Sequence, residues 1–251
     1  MSETKGRVAI VTGGARGIGR ACALALAERG FDVALVDLLG PEMEATAGEI
    51  RTLGRRSACY LADVADHKRA AEVAKAVHGQ WGRIDFLLNN AGRAMPKGLL
   101  EITEAEWDST IDVNLKGCFN WCRAVAPLML AGEGGRIVSI SSLNALSGGV
   151  TSAVSKFAYA AAKAGILGLT RALAKELGPR IAINAICPGV IVTDGTRAMV
   201  ERRADELIRG IALGRLGSPA DVAQLVAYLA TAEPNFMTGQ AFVLDGFQWV
   251  M

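Results

Sequence analysis

The chain has 251 residues, and its 27 Lys and Arg against 25 Asp and Glu leave a net charge of +2. Because 51% of the residues are hydrophobic and 29 are glycine, the composition excludes a disordered chain, and the balanced charge excludes an electrostatic nucleic-acid binder. The five cysteines form no Cys-x-x-Cys pair and only two histidines are present, so we predict no metal site and free thiols in a reducing cytoplasm. We expect no secretory signal and, because no apolar run is long enough, no membrane span.

Short apolar runs alternate with longer helical patterns along the whole chain. The predicted strands are Arg7–Thr12, Asp32–Asp37, Ser57–Leu61, Ile84–Asn89, Arg136–Ile140, Ile181–Ile186 and Ala241–Leu244. The predicted helices cover 18–29, 42–53, 66–79, 104–130, 156–177 and 219–231. Several strands are apolar throughout, which is typical of strands buried on both faces of a parallel sheet. Since no linker divides the chain, the pattern predicts a single doubly wound α/β domain over residues 1–251.

The segment 193–217 departs from this alternation, because it is charged and contains a short predicted helix at about 196–209. Four glycines bracket that helix: Gly195, Gly210, Gly214 and Gly217. Lids need hinge positions on either side, so the segment is either an ordinary surface excursion or a lid over a substrate cleft.

A glycine-rich turn, TGGARGIG at residues 12–19, connects the first predicted strand to the first helix. Gly13, Gly17 and Gly19 allow a tight turn that a pyrophosphate can approach, and the helix start offers free N–H groups. The spacing differs from the common Gly-x-Gly-x-x-Gly fingerprint, so a purely structural turn is the alternative. The position of the turn between a strand and a helix favours dinucleotide binding.

Asp37 ends the second predicted strand, the next strand along the chain after the glycine-rich turn. A carboxylate at this place accepts hydrogen bonds from an adenosine ribose diol and repels a 2′-phosphate. Arg16, inside the glycine turn, could instead favour a 2′-phosphate, and a turn-capping role is the structural alternative for Asp37. We predict NAD as the cofactor, with NADP as the alternative.

Tyr159 and Lys163 stand at positions i and i+4 of a predicted helix, so they share one face of it. A fixed ammonium beside a phenol favours the phenolate, which allows the phenol to exchange protons near neutral pH. Ser142 follows a buried predicted strand, at the sheet edge where ligands bind in doubly wound folds. Asn114 interrupts an otherwise apolar helix, where a local backbone bond or bend is the alternative to a functional role.

These residues occur in an order that resembles the short-chain dehydrogenase/reductase family, single-domain type, over residues 6–246. The matching motifs are TGxxxGIG at Thr12–Gly19, NNAG at Asn89–Gly92, YxxxK at Tyr159–Lys163 and NxxxPGxIxT at Asn184–Thr193. The resemblance implies a Rossmann-type doubly wound parallel sheet of about seven strands with helices on both faces. It also implies a nicotinamide cofactor and hydride transfer between that cofactor and an alcohol or carbonyl.

The resemblance implies four catalytic residues. Tyr159 would be the general acid and base, and Lys163 would assist it and bind the nicotinamide ribose. Ser142 would donate a hydrogen bond to the substrate oxygen, and Asn114 would hold a proton-relay water. Tyr159 and Lys163 also count among the predicted cofactor contacts, and the others are Gly13, Arg16, Gly17, Ile18, Gly19, Asp37, Leu38, Asp63, Val64, Asn90, Ala91, Gly92, Pro188, Gly189, Ile191 and Thr193.

One spacing departs from the family pattern, because the stretch from Ser142 to Tyr159 is longer than is common. Ser147, which lies closer to the tyrosine along the chain, is the alternative substrate-binding serine. We favour Ser142 because it follows the end of the predicted strand, whereas two glycines follow Ser147. A longer loop beside the substrate also indicates altered specificity.

The predicted substrate pocket is mostly small or apolar and encodes specificity poorly. Its candidate residues are Ala94, Met95, Leu143, Asn144, Val150 and Val190. The chain resembles both 3-oxoacyl-(acyl carrier protein) reductases and polyol or alcohol dehydrogenases, and Asp37 argues against the former, which usually favour NADPH.

We therefore predict an NAD-dependent oxidoreductase that acts on a secondary alcohol or carbonyl of the polyol, sugar or hydroxyacyl type. An NADPH-dependent 3-oxoacyl-(acyl carrier protein) reductase is the alternative, and a non-catalytic NAD-binding regulatory protein is a more distant one. The apolar helices 104–130 and 156–177 and the apolar tail Phe247–Met251 predict a homodimer or homotetramer.

Overall fold

The computed structural model describes residues 6–149, 154–197, 200 and 202–248. Its seven strands are β1 (Arg7–Thr12), β2 (Phe31–Asp37), β3 (Ser57–Leu61), β4 (Phe86–Asn89), β5 (Gly135–Ile140), β6 (Ile181–Pro188) and β7 (Ala241–Leu244). They form one sheet in the order β3-β2-β1-β4-β5-β6-β7, in which every pairing is parallel. The order reverses direction between β1 and β4, which confirms the predicted doubly wound Rossmann-type sheet.

Helices cover both faces of this sheet. They are α1 (Gly17–Glu28), α2 (Gly40–Thr52), α3 (His67–Trp81), α4 (Glu104–Ile111), α5 (Gly117–Ala131), α6 (Asn144–Ser147), α7 (Phe157–Leu177), α8 (Ala204–Arg209) and α9 (Pro219–Thr231). Apolar side chains of α1, α2 and α9 form the core on one face, and those of α3, α5 and α7 form the core on the other.

Strand β1 shows why the apolar runs of the sequence become central strands. Val8 and Ile10 point into one core while Ala9 and Val11 point into the other, and all four side chains are fully buried. A strand that is buried on both faces needs apolar residues at every position, because no side of it contacts water.

The predicted helix 104–130 is present as a continuous helical stretch, Glu104 to Ala131, but it is not α-helical throughout. A π-helical turn, Asp112–Lys116, lies between α4 and α5. The cause is Asn114, whose side-chain Nδ2 donates to the Thr110 carbonyl at 3.0 Å and so competes with the backbone N–H groups for that acceptor. The local backbone bond considered for Asn114 in the sequence is therefore present, and the neighbouring Val113 lines the cleft of the candidate site.

The segment 193–217 connects the end of β6 to α9, and its two ends lie side by side. Ile191 and Gly217 form a parallel bridge, Val192 N donates to the Gly217 carbonyl at 2.9 Å, and Gly217 N donates to the Val190 carbonyl at 3.0 Å. Of the helix predicted at 196–209, α8 forms the part from Ala204 onward, and residues 198, 199 and 201 lie outside the described residues. A lid function for this segment stays a prediction.

Several further predictions fall outside the described residues: Met1–Lys5, Val150 and the end of the apolar tail, Trp249–Met251. Throughout the ranges that are described, no helix is both long enough and apolar enough to cross a membrane. In the same ranges, no three His, Cys, Asp or Glu side chains are grouped as metal ligands, and each of the five cysteines is free.

Candidate active site

The glycine-rich turn follows β1 and opens the helix α1. Gly13 and Gly17 have positive φ angles of 65° and 57°, a conformation that favours glycine, so the turn depends on these two residues. No side chain caps the start of α1 and no acidic residue lies in its first turn. The N–H groups at this helix start therefore remain available for an anion such as a pyrophosphate.

Asn90 holds the turn against the end of β4. Its Nδ2 donates to the carbonyls of Thr12 and Gly13 at 3.0 Å each, and its backbone N donates to Thr12 Oγ1 at 3.0 Å. A Cβ atom on Gly19 would lie 2.6 Å from Asn90 Nδ2, so this glycine serves close packing. Gly19 is also absent from the residues that line the neighbouring cleft, unlike Gly13 and Gly17.

A cleft of about 570 Å³ runs along the C-terminal ends of β1, β2 and β4. The predicted cofactor residues that line it are Gly13, Arg16, Gly17, Ile18, Asp37, Leu38, Asp63, Val64, Asn90, Ala91, Gly92 and Thr193. Sequence reasoning missed other lining residues, among them Arg93, Ser109, Val113, Asp194 and Gly195. Ser109 and Val113 reach the cleft because Arg93, in the chain after β4, forms hydrogen bonds with Ser109 and Asn114, and no motif marks them.

The carboxylate of Asp37 is fixed at one side of this cleft. Its Oδ1 accepts from the backbone N of Leu38 at 2.7 Å and of Leu39 at 3.2 Å, and its Oδ2 accepts from Ala15 N at 3.0 Å. The exposed Arg16 lines the same cleft. Asp37, which favours NAD, and Arg16, which favours NADP, therefore line the same cleft, near the glycine-rich turn and the end of β2.

Lys163 is the buried cation of the site. Its side chain is 3% exposed, its Nζ lies 5.6 Å from the ring centroid of Tyr159, and Nζ donates to the Ile140 carbonyl at 2.8 Å. No carboxylate within the described ranges forms an ion pair with it. A buried charge without a counter-ion is costly to keep, so its position beside Tyr159 indicates a functional role.

Gly92 lies between Asn114 and the side-chain end of Lys163. A Cβ atom on Gly92 would lie 2.9 Å from Asn114 Oδ1 and 3.4 Å from Lys163 Nζ. Both amide hydrogens of Asn114 are used, on the carbonyls of Arg93 (2.9 Å) and Thr110 (3.0 Å), and its Oδ1 accepts from Arg93 N. Asn114 thus fastens the chain after β4 to the π-helical turn, a role the sequence did not indicate.

The two candidate serines differ in their hydrogen bonds. Ser147 Oγ donates to the Leu143 carbonyl at 3.1 Å within the short helix α6 and accepts from Gly149 N at 3.2 Å. Ser142 Oγ accepts from Asn144 N at 3.2 Å and donates to no group of the described residues. Only Ser142 therefore keeps a hydroxyl proton available for a substrate oxygen, which favours it over Ser147.

Cys118 and Cys187 lie near the lysine, Cys122 lies near Cys118, and all three are poor nucleophiles. Burial raises the pKa of Cys118 and Cys187, and it raises the pKa of Cys122 to about 12. Because the thiolate is the reactive form, these thiols are inert near neutral pH. Tyr159 and Lys163 therefore remain the candidate acid–base groups at this place.

Three residues of the predicted NxxxPGxIxT contact do not line the cleft: Pro188, Gly189 and Ile191. Gly189 packs against Asp245, since a Cβ there would lie 2.8 Å from Asp245 Cβ, and its N donates to the Leu244 carbonyl. Ile191 lines a separate cavity of about 440 Å³ between β7 and residues 212–217. Of this segment only Thr193 reaches the cleft wall.

Known proteins share this arrangement. A family model described as enoyl-(acyl carrier protein) reductase matches residues 13–246. A solved structure from Brucella melitensis, described as a short-chain dehydrogenase/reductase and glucose/ribitol dehydrogenase, superposes with a TM-score of 0.90 at 32% identity, covering 98% of this chain and 97% of that one. The chain belongs to the short-chain dehydrogenase/reductase family. The resemblance carried by the sequence motifs is thereby confirmed.

Curated members of the short-chain dehydrogenase/reductase family are similar over nearly the whole length. The 3-oxoacyl-(acyl carrier protein) reductase of Staphylococcus epidermidis is 41% identical over 241 residues, which cover 95% of this chain and 97% of the relative. The reductase of the same name from Thermotoga maritima is 38% identical over 245 residues, or 96% and 97%. The chain is accordingly an oxidoreductase of this family that acts on CH–OH groups.

Proposed function

We propose that this protein reduces the 3-oxo group of an acyl thioester to a 3-hydroxyacyl thioester. The observation that carries the chemistry is the buried Lys163 ammonium, 5.6 Å from the ring of Tyr159 and without a carboxylate partner among the described residues. The similarity to 3-oxoacyl-(acyl carrier protein) reductases, at 41% and 38% identity, supports the substrate class. This reverses the order of the two sequence predictions, in which a polyol or alcohol dehydrogenase came first.

The chain's own residues manage one proton. Tyr159 donates its phenolic proton to the oxygen of the 3-oxo group as that oxygen gains negative charge. The ammonium of Lys163 stabilises the phenolate that remains, and Ser142 donates a hydrogen bond to the same substrate oxygen. A nicotinamide cofactor held by the residues that line the cleft would supply the hydride for the carbonyl carbon. Asn114 keeps the π-helical turn and the chain after β4 in place around Lys163.

The cleft fits a dinucleotide. The uncapped start of α1 offers N–H groups to a pyrophosphate, and the volume of about 570 Å³ extends from Asp63 and Val64 to Gly92 beside Lys163. We propose NADH as the preferred cofactor, because the Asp37 carboxylate lines the cleft, is fixed by three backbone N–H groups, and would repel a 2′-phosphate bound beside it. Arg16 is the feature that favours NADPH.

A substrate and cofactor panel tests the proposal. Initial rates are measured with acetoacetyl-CoA, acetoacetyl-(acyl carrier protein) and a set of polyols and sugars, each with the NAD and the NADP forms of the cofactor. We expect reduction of the acetoacetyl thioesters to show the highest kcat/KM, with NADH preferred. Oxidation of a polyol without thioester reduction would overturn the proposed substrate class.

The second candidate is an NAD-dependent alcohol or polyol dehydrogenase. Two observations favour it: the carboxylate of Asp37 in the cleft, and the similarity to the Brucella structure described as a glucose/ribitol dehydrogenase. Tight binding of NAD with no turnover of any alcohol or carbonyl would instead support the non-catalytic regulatory alternative. The same panel separates all three functions.

A further inference from the structure

We propose that Asn144 is a positioning residue that closes the long serine-to-tyrosine connection and so fixes Ser142 relative to Tyr159. This inference rests on the proposed function, since it assumes that both side chains act on one substrate oxygen. The starting observation is that the chain between Ser142 and Tyr159 forms the short helix α6 before it reaches α7, and that a hydrogen bond joins α6 to the residues just before α7.

Asn144 makes two hydrogen bonds that reach the two ends of this connection. Its backbone N donates to Ser142 Oγ at 3.2 Å, and its side-chain Nδ2 donates to the carbonyl of Ser155 at 3.2 Å. Ser142 lies just beyond β5, and Ser155 lies just before α7. One half-buried residue therefore links the serine that binds the substrate oxygen to the helix that carries the tyrosine.

The Ser155 side of this link continues into a firmly held helix start. Lys156 N donates to the Met95 carbonyl at 2.8 Å, and the ring of Phe157 stacks on Trp107 with centroids 5.6 Å apart. Tyr159 follows in the first turn of α7. Because the first turn of α7 is held in this way, the hydrogen bond from Asn144 to Ser155 holds the Ser142 region at a defined position relative to α7.

The backbone bond also sets the direction of the Ser142 hydroxyl. Asn144 N occupies an acceptor site of Ser142 Oγ, so the hydroxyl proton points elsewhere and can be donated to a substrate oxygen. Without the side-chain bond to Ser155, the turn at 142–145 keeps its bonds from Leu143 N to the Pro188 carbonyl and from Ala145 N to the Ser142 carbonyl, but it loses this link to α7. We therefore expect the serine to be oriented less precisely relative to Tyr159. Shifts of about 1 Å in a positioning group can cost about a hundredfold in rate.

The test uses Asn144→Asp, Asn144→Ala and, as the matched control, Ser155→Ala. Aspartate keeps the size of asparagine but has no amide hydrogens for the Ser155 carbonyl, whereas Ser155→Ala keeps that carbonyl. We expect kcat to fall about 30-fold in both Asn144 variants, with the Kd for reduced cofactor within about twofold of wild type. Ser155→Ala should retain the wild-type kcat.

Hydrogen–deuterium exchange supplies a readout that does not depend on activity. In both Asn144 variants, peptides that cover 141–149 and 154–160 should exchange about fivefold faster, while peptides of β1 and α1 stay unchanged. A wild-type kcat, or unchanged exchange at both ends of the connection, overturns the role of Asn144. A wild type that reduces no acetoacetyl thioester overturns the proposed function instead. In that case, kcat of the Asn144 variants is compared with that of wild type on a carbonyl compound that wild type does reduce. If wild type reduces none, hydrogen–deuterium exchange alone tests the role of Asn144.

Discussion

At the scale of single residues, the two serines of the loop after β5 lead to opposite expectations. Ser142→Ala should lower kcat for the preferred carbonyl substrate by about a hundredfold, because it removes a donor to the developing oxyanion. Ser147→Ala should change kcat little, because the Ser147 hydroxyl donates to the carbonyl of Leu143, the residue that precedes α6. Steady-state kinetics of both variants decide the point. A nearly normal Ser142→Ala enzyme would show that another group holds the substrate oxygen.

Cofactor preference rests on the charge of Asp37. Asp37→Asn keeps an oxygen for the backbone N–H groups of Leu38 and Leu39, removes the negative charge and gives up the acceptor for Ala15 N. We expect the ratio of kcat/KM with NADPH to that with NADH to rise about tenfold, because repulsion of a 2′-phosphate is lost.

The matched control is Asp63→Asn, which removes a second carboxylate from the same cleft. Its ratio should stay close to that of wild type. Equal changes in the two variants would mean that the net charge of the cleft, and not the position of Asp37, sets the preference.

The sequence motifs predicted the candidate catalytic residues better than they predicted the residues that line the cleft. Tyr159 and Lys163 could be predicted because their i, i+4 spacing fixes a shared helix face. The packing of Gly189 against Asp245 and the place of Ile191 in the second cavity could not be predicted, since their neighbours come from chain segments distant in sequence. Arg93 carries no sequence signal at all and reaches the cleft beside Ser109 through the fold, where Nη2 donates to Ser109 Oγ at 2.6 Å.

At the scale of elements, the start of α9 is fixed by a capping box. Ser218 Oγ accepts from Asp221 N, and Asp221 Oδ2 accepts from Ser218 N at 2.8 Å. Arg215 donates two hydrogen bonds to the Asp221 carboxylate and, together with Ser218, holds the pKa of that carboxyl below its usual range. The helix so fixed packs its apolar side against α1 in the core.

Ser218→Ala should therefore lower the free energy of unfolding by about 1 kcal/mol at pH 7. Asp221→Asn should also be destabilising, and its difference from wild type should shrink as the pH falls below about 4. The lowered folded-state pKa means that the ionised carboxylate stabilises the fold above its ordinary pKa and stops doing so in acid. Urea unfolding at several pH values measures both effects. A Ser218→Ala protein as stable as wild type would contradict the capping role.

Element types were predictable, but element bounds and the helix interruption were not. The strands and helices could be predicted because buried positions need apolar residues, and the spacing of these residues along the chain differs between strands and helices. The π-helical turn depends on hydrogen bonds of Asn114 to Arg93 and Thr110, of which the former is distant in sequence. Likewise, β6 runs on to Pro188 because β7 pairs with it there, and no local pattern predicts that pairing.

At the scale of the whole molecule, large apolar side chains remain exposed on several elements. They include Leu99, Leu100, Leu213, Tyr228, Phe236, Val243 and Phe247. Exposed apolar groups of this size favour self-association. We expect a homodimer or homotetramer, and sedimentation equilibrium at micromolar concentration measures it. A stable monomer under those conditions would refute the expectation.

The central claim is that this fold reduces a 3-oxoacyl thioester with a nicotinamide bound in the cleft and with Tyr159 and Lys163 as the acid–base pair. The most direct measurement compares wild type with Tyr159→Phe, following both NADH consumption and the 3-hydroxyacyl product formed from acetoacetyl thioester. The account predicts that wild type converts NADH and substrate in equal amounts. Tyr159→Phe should bind NADH normally but react at least about a hundredfold more slowly. A wild type that forms no 3-hydroxyacyl product, or a Tyr159→Phe enzyme that forms it at a comparable rate, would contradict the account.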